Sequence, residues 1–149
     1  MSAYRKILVA VDGSAAAAKG LREAVRLAKE EGANLVILHV VNEYVAFANL
    51  DGAPPVDIVP MLREGGRKIL AKAQAAAKKQ GIEAKTVMRE SIGGPAADAI
   101  VKEVKKQGAD LIVLGTHGRR GLRRLVLGSD AEQVVRSARV PVLLVRAPG

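Results

Sequence analysis

The segment DLIVLGTHGRRGLRRLVLGS, residues 110–129, decides the fold of this chain. It opens on an apolar run from Asp110 to Leu114 that reads as a buried strand. It closes on Ser129-Asp130-Ala131-Glu132, which has the form of a capping box at a helix start. Between them lie Gly115, Gly118, Gly121 and Gly128, with Arg119, Arg120, Arg123 and Arg124. Glycine lets backbone amides approach a ligand closely, and arginine and a helix N-terminus both favour anions. A strand, a glycine- and arginine-rich turn and a helix in that order are expected to cradle phosphate.

The same grammar extends in both directions. Ile7 to Val11 is a second continuous apolar run, followed by Asp12-Gly13-Ser14, with Ser14 placed to cap a helix whose face is Leu21, Ala24, Val25 and Ala28. Gly32 ends that helix, and Leu35 to Val41 reads as the next strand. Residues 42–60 hold Asp51-Gly52, Pro54-Pro55 and Pro60 and read as one long connection. A helix over 61–80 follows, with Leu62, Ile69, Ala73 and Ala76 near one face. Then come a strand over 83–88, shorter or nearer an edge, and a helix with Gly94 as N-cap and Pro95 as first residue. That helix carries the stripe Ala97, Ile100, Val101, Val104 and ends at Gly108. After the central segment, a helix buries Ala131, Val134, Val135 and Ala138, and a strand spans 141–145. Five strands alternating with four helices predict an α/β fold with a parallel, doubly wound sheet. In such sheets ligands bind beyond the carboxyl ends of the strands, where the strand order switches.

Composition narrows the field. The chain has 149 residues, enough for one domain with its own core. It is 49% hydrophobic but has only Tyr4, Tyr44 and Phe47 as aromatics. It has no cysteine, hence no disulfide, thiol nucleophile or thiolate metal site. Arg5-Lys6 precedes any apolar run, and no stretch nears the ~20 apolar residues of a membrane span. A cytoplasmic protein with no membrane partner is expected. The net charge of +9 suits an anionic partner, but the near-absence of aromatics speaks against nucleic acid. There is no G-x4-G-K-[ST], no G-x-G-x-x-G, and no acidic cluster of a receiver domain. No arrangement for nucleophilic or metal-assisted hydrolysis is present, so no catalytic residue is assigned.

The spacing G-x2-G-x9-G-S, met by Gly115, Gly118, Gly128 and Ser129, resembles the ATP-binding signature of the universal stress protein family. The opening ILVAVDGS, the His39-Val40 pair at the end of the second strand and the closing VPVLLV extend the likeness over the whole chain. The resemblance implies a single universal stress protein domain over 1–149, in three α/β/α layers, with strand order 3-2-1-4-5 as in adenine nucleotide alpha hydrolase-like folds. It implies ATP or another adenine nucleotide as ligand, with Mg2+ or Mn2+ held mainly by the phosphates and by Asp12 at most. By position, Asp12 matches the acid near adenosine, Ala10 and Val11 match its neighbouring contacts, and Val40 matches the backbone partner of adenine. Gly115, Thr116, His117, Gly118, Arg119, Arg120 and Gly121 match the loop under ribose and phosphates. Gly128, Ser129, Asp130 and Ala131 match the helix start at the terminal phosphates. Asp130 departs from the pattern, since many nucleotide-binding relatives have an apolar residue there, and its charge would oppose a phosphate it faced.

Blander readings stand beside these. Gly115 and Gly118 also suit a plain strand-to-loop turn, Asp12 a helix cap, and His39 a packed core position; His117 suits a loop support. The apolar edge of Val142 to Val145 needs cover, and in the family that strand commonly makes a homodimer contact. The function expected is nucleotide-dependent regulation in a stress response, by a binding protein rather than an enzyme. The alternatives are a nucleotide-free dimeric interaction protein and a slow ATPase; the sequence names no protein partner.

Overall fold

The computed structural model describes residues 2–42, 58–91, 93–116 and 128–147. Among these residues five strands, β1 (Lys6–Ala10), β2 (Asn34–Asn42), β3 (Lys85–Ser91), β4 (Leu111–Thr116) and β5 (Val142–Arg146), alternate with four helices: α1 (Ala15–Glu31), α2 (Val59–Lys79), α3 (Ala96–Gln107) and α4 (Ser129–Ser137). All neighbouring strands pair in parallel, in the order β3-β2-β1-β4-β5. The expected fold class and strand order are therefore observed.

The three layers follow from alternation along the central strands. Ile7, Val9, Leu35, Ile37, Leu111 and Val113 point to one face, where α1 and α2 cover them with Leu21, Ala24, Val25, Leu70 and Ala73. Leu8, Val36, Leu38, Ile112 and Leu114 point to the other, against Ala97, Ile100 and Val104 of α3 and Ala131 and Val134 of α4. Burial of both faces explains why these strands read as unbroken apolar runs. At the amino end of the sheet, the Asp110 carboxylate accepts hydrogen bonds from the amides of Arg5, at 2.9 Å, and Lys6, at 3.1 Å.

Several boundaries differ from the sequence reading. β4 runs on through Gly115 and Thr116, because Gly115 pairs with Val145 and Thr116 with Arg146 in the β5 ladder. β3 is the edge strand expected, but it covers 85–91 rather than 83–88, held in register by β2 from Val36 to Asn42. α2 begins at Val59, so Pro60 lies in its first turn rather than in the connection. The buried stripe of α2 is Val59, Gly66, Leu70, Ala73 and Ala77, one position round from the expected face, and Ala76 is exposed. Pro95 is the N-cap of α3, with ψ 151°, in place of Gly94. In α4, Val135 is 45% exposed rather than buried.

Two glycines fix how closely α1 approaches β4. A Cβ on Gly115 would lie 2.0 Å from the carbonyl oxygen of Ala16, and one on Gly20 would lie 3.0 Å from the amide nitrogen of Gly115. Gly115 thus serves helix-on-strand packing, a role that its place in a ligand-loop pattern did not suggest.

A charged cluster closes the β3 edge. Glu103 of α3 is 2% exposed and accepts hydrogen bonds from Arg89 Nε at 2.7 Å and Gln107 Nε2 at 2.6 Å. Burial pushes its carboxyl up. The hydrogen bonds from Gln107 and Arg89, with the charges of Arg89 and Lys106, outweigh burial and hold it below the ordinary carboxylate value. On the opposite face of β3, Arg63 of α2 is ion-paired with Glu90.

Candidate functional site

β1, β2 and β4 end at the same side of the sheet, and order reverses between β1 and β4. A cavity of about 660 Å³ lies there. Its floor is the carboxyl ends of β1 and β2 with Val11 and Asp12, and Leu114 and Gly115 of β4. Its walls come from the first turn of α2 through Leu62, from Ala96 and Ile100 of α3, and from Asp130 and Ala131 of α4. The volume lies within the usual range of small-molecule sites.

The turn leaving β1 is built by side chains of its own sequence. The Asp12 carboxylate accepts from the Ser14 amide at 2.9 Å, and the Ser14 hydroxyl accepts from the Ala17 amide at 3.1 Å, capping α1 as expected. Asp12 therefore shapes the turn before the helix while remaining exposed on the cavity wall. His39 is 8% exposed and packed, as the apolar run before it suggested. Its Nδ1 donates to the Val11 carbonyl oxygen at 2.8 Å, since a carbonyl can only accept, so Nδ1 carries a hydrogen. Its other edge lies against α2: a Cβ on Gly66 would stand 2.7 Å from His39 Cδ2. The ring thus links the end of β1 to α2.

Of the residues singled out from the sequence, Ala10, Val11, Asp12, Val40, Gly115, Asp130 and Ala131 come together on this cavity. Thr116 does not line it. Its side chain is buried towards β5, with Oγ1 donating to the Val145 carbonyl at 3.5 Å. Gly128 and Ser129 stand beside the cavity without lining it. The capping box does not form: Gly128, with ψ 152°, is the N-cap, so Ser129 is already the first helical residue and its hydroxyl caps nothing. His117, Gly118, Arg119, Arg120 and Gly121, with Arg123 and Arg124, lie outside the described residues. Lining residues that sequence reading missed include Ser14, Ala17, His39, Ile58, Leu62, Ala96 and Ile100. Ser14 carried a signal through its place after Asp12-Gly13. Ile58 and Leu62 carried none, because only the position of α2 over the sheet brings them in.

The starts of α1, α3 and α4 reach a mostly apolar cleft through Ser14, Ala96 and Asp130, with Asp12 and Asp130 as the carboxylates among its described lining. Among the described residues, no group of three or more His, Asp or Glu side chains is placed to hold a metal ion. No described helix is long and apolar enough to cross a membrane.

The molecule is a doubly wound α/β protein with its cleft at the topological switch point. The chain belongs to the universal stress protein family, whose profile matches residues 3–146. It is 39% identical over 150 residues to the universal stress protein YxiE of Bacillus subtilis, covering 96% of this chain and 99% of that one. Among solved structures, a universal stress protein family member from Burkholderia pseudomallei superposes with a TM-score of 0.77 at 34% identity, covering 97% of both chains. A universal stress protein from Archaeoglobus fulgidus in complex with dAMP matches with a TM-score of 0.68 at 25% identity, over 95% of this chain and 98% of that one. A universal stress protein in complex with cAMP matches with a TM-score of 0.69 at 26% identity, over 97% and 98%.

Proposed function

We propose that the protein binds an adenine nucleotide, ATP foremost, in the cavity at the carboxyl ends of β1, β2 and β4, and acts as a nucleotide-dependent regulatory protein of the stress response. The observation that carries this reading is the convergence of Ala10 with Asp12, Val40, Gly115 and Ala131, from four separate stretches of the sequence, on one cavity of nucleotide size. That family members of the same fold are in complex with dAMP and cAMP supports the adenine moiety. Ala10, Val11 and Val40 line the strand-end wall for the nucleoside, and the α4 start faces the phosphate end.

Asp12 and Asp130 on the same cavity give the triphosphate a condition. Two carboxylates beside a polyanion are repulsive, so Mg2+ or Mn2+ carried by the phosphates, with Asp12 within the same cavity, offsets the charge. The chain acts as one domain over 1–149 in the cytoplasm, and as a homodimer along β5, where the partly buried Val142, Leu143 and Leu144 of an edge strand favour strand-to-strand cover.

Isothermal titration of the purified protein with ATP and magnesium tests the core of this reading. Saturable heat that is lost in Gly118→Ala, with folding retained, is expected. Absence of heat from folded protein at ligand concentrations well above micromolar would end it.

A further inference from the structure

A second concavity, of about 830 Å³, runs along the outer surface between α1 and α2. Its floor is apolar, made by Leu21 and Val25 of α1 and Ile69 and Ala73 of α2, and small exposed side chains, Ala18 and Ala76, open its walls. Both rims are basic. Arg22, Arg26 and Lys29 follow i, i+4, i+7 spacing along α1, and Lys68, Lys72 and Lys79 follow i, i+4, i+11 along α2, so each set forms one stripe on its helix. Among the described residues, none that lines the groove is acidic. Arg26 is engaged by Glu23 at 2.8 Å and Glu30 at 3.2 Å, whereas Arg22, Lys29, Lys68, Lys72 and Lys79 make no ion pair among the described residues.

We infer that this groove is a docking site for an acidic amphipathic helix of a partner protein. The distribution of charge selects that occupant. A fatty acid or similar amphiphile carries one anionic head and calls for cations gathered at one end. Here the cations flank the apolar floor on both sides, over about 16 Å from Lys68 to Lys79 at 1.5 Å per residue. A helix with an apolar stripe between two acidic flanks presents the complementary pattern over about three turns. An anionic bilayer would meet the rims but not the floor, since Leu21, Val25 and Ala73 are 5–6% exposed and lie beneath them. Side chains projecting from a helix can enter between the rims and reach Ile69. The groove's lining needs no nucleotide in the other cavity, although the two share Val11, Ser14 and Ala17.

The test uses the full-length protein and a fluorescein-labelled peptide of about 14 residues, or about 21 Å as a helix, with Leu and Ala on one face and Glu on both flanks. Fluorescence anisotropy should show saturable binding that weakens as salt rises. Lys68→Glu with Lys72→Glu should weaken it on the order of tenfold, as attraction at two rim positions becomes repulsion. Ala76→Trp, at an exposed position, should block the groove and weaken it similarly with no change of charge. Circular dichroism melts confirm that both variants fold. A scrambled peptide of the same composition, binding as well as the ordered one, would reduce the effect to diffuse charge attraction and overturn the inference. Undiminished binding to Ala76→Trp would do the same, as would no binding of the ordered peptide. Binding of oleate or of phosphatidylglycerol vesicles, lost in the same variants while the peptide fails to bind, would assign the groove to lipid instead.

Discussion

Gly115→Ala should be among the most damaging conservative changes in the chain, through packing rather than ligand contact. Its new methyl would stand 2.0 Å from the Ala16 carbonyl oxygen, 2.4 Å from the carbon and 2.9 Å from the Ala17 nitrogen. All three are backbone atoms of α1, so no side chain can rotate away. The helix must retreat by about 1 Å before the contacts become ordinary, and a gap of that size forfeits a quarter to a half of the dispersion energy across it. α1 presses on β4 through a stripe that includes Ala16, Ala17, Gly20, Leu21 and Ala24. Overpacking of this kind costs about 1–3 kcal/mol and occasionally more, offset by about 0.5–1 kcal/mol from removing a strand glycine. Because the clash is with backbone, overpacking near its upper value of about 3 kcal/mol leaves a net loss of about 2 kcal/mol, a fall of about 1 M in the urea midpoint for a slope of about 2 kcal/mol/M. Gly128→Ala is the matched control, because a Cβ there meets nothing within 4 Å and φ is −59°. Equilibrium unfolding in urea measures both. If Gly115→Ala unfolds at the wild-type midpoint, the packing account is wrong; if it also loses nucleotide affinity at full stability, the glycine serves the ligand instead.

The other expectations concern charge and capping. Because the Glu103 carboxyl is lowered in the folded protein, its contribution to stability is present above the ordinary carboxylate range. It is lost as pH falls through the folded value. Glu103→Gln should therefore flatten the acid limb of a stability-against-pH curve, while a curve parallel to wild type would contradict the assignment. Ser14→Ala should cost about 1 kcal/mol through loss of the α1 cap, while Ser129→Ala should be nearly neutral because its hydroxyl caps nothing; thermal unfolding compares the pair. Asp130→Ala should raise ATP affinity most in the absence of Mg2+, and titration with and without the metal should show the two proteins converging as Mg2+ is added. Equal affinities without metal would place the Asp130 carboxylate away from the phosphates.

The sheet was legible because its strands are buried on both faces, so Ile7 to Val11 and Leu111 to Leu114 carry their state in composition alone. Helix faces were legible where one stripe is buried, as in α1, and misjudged in α2, where Gly66 is a packing position that hydropathy cannot register. Its missing side chain admits the edge of His39. The α4 start illustrates a limit of local patterns. Ser129 and Glu132 have capping-box spacing, but the residue that supplies the extended backbone is Gly128, one position earlier. Within the cavity, positions contributed by strand ends were readable because every parallel sheet delivers them to one side. Ile58 and Leu62 were not, since their approach depends on how α2 crosses the sheet.

The first turn of α1 has a side to each concavity: Val11, Ser14 and Ala17 line both the strand-end cleft and the groove between α1 and α2. A wall shared in this way makes the two sites thermodynamically reciprocal. Any occupant that shifts the Ser14 turn to improve its own fit changes the affinity at the other side, and the second occupant must change the first by the same factor. The distance is short, for such a shift need cross only the one turn in which Ser14 Oγ accepts from the Ala17 amide at 3.1 Å.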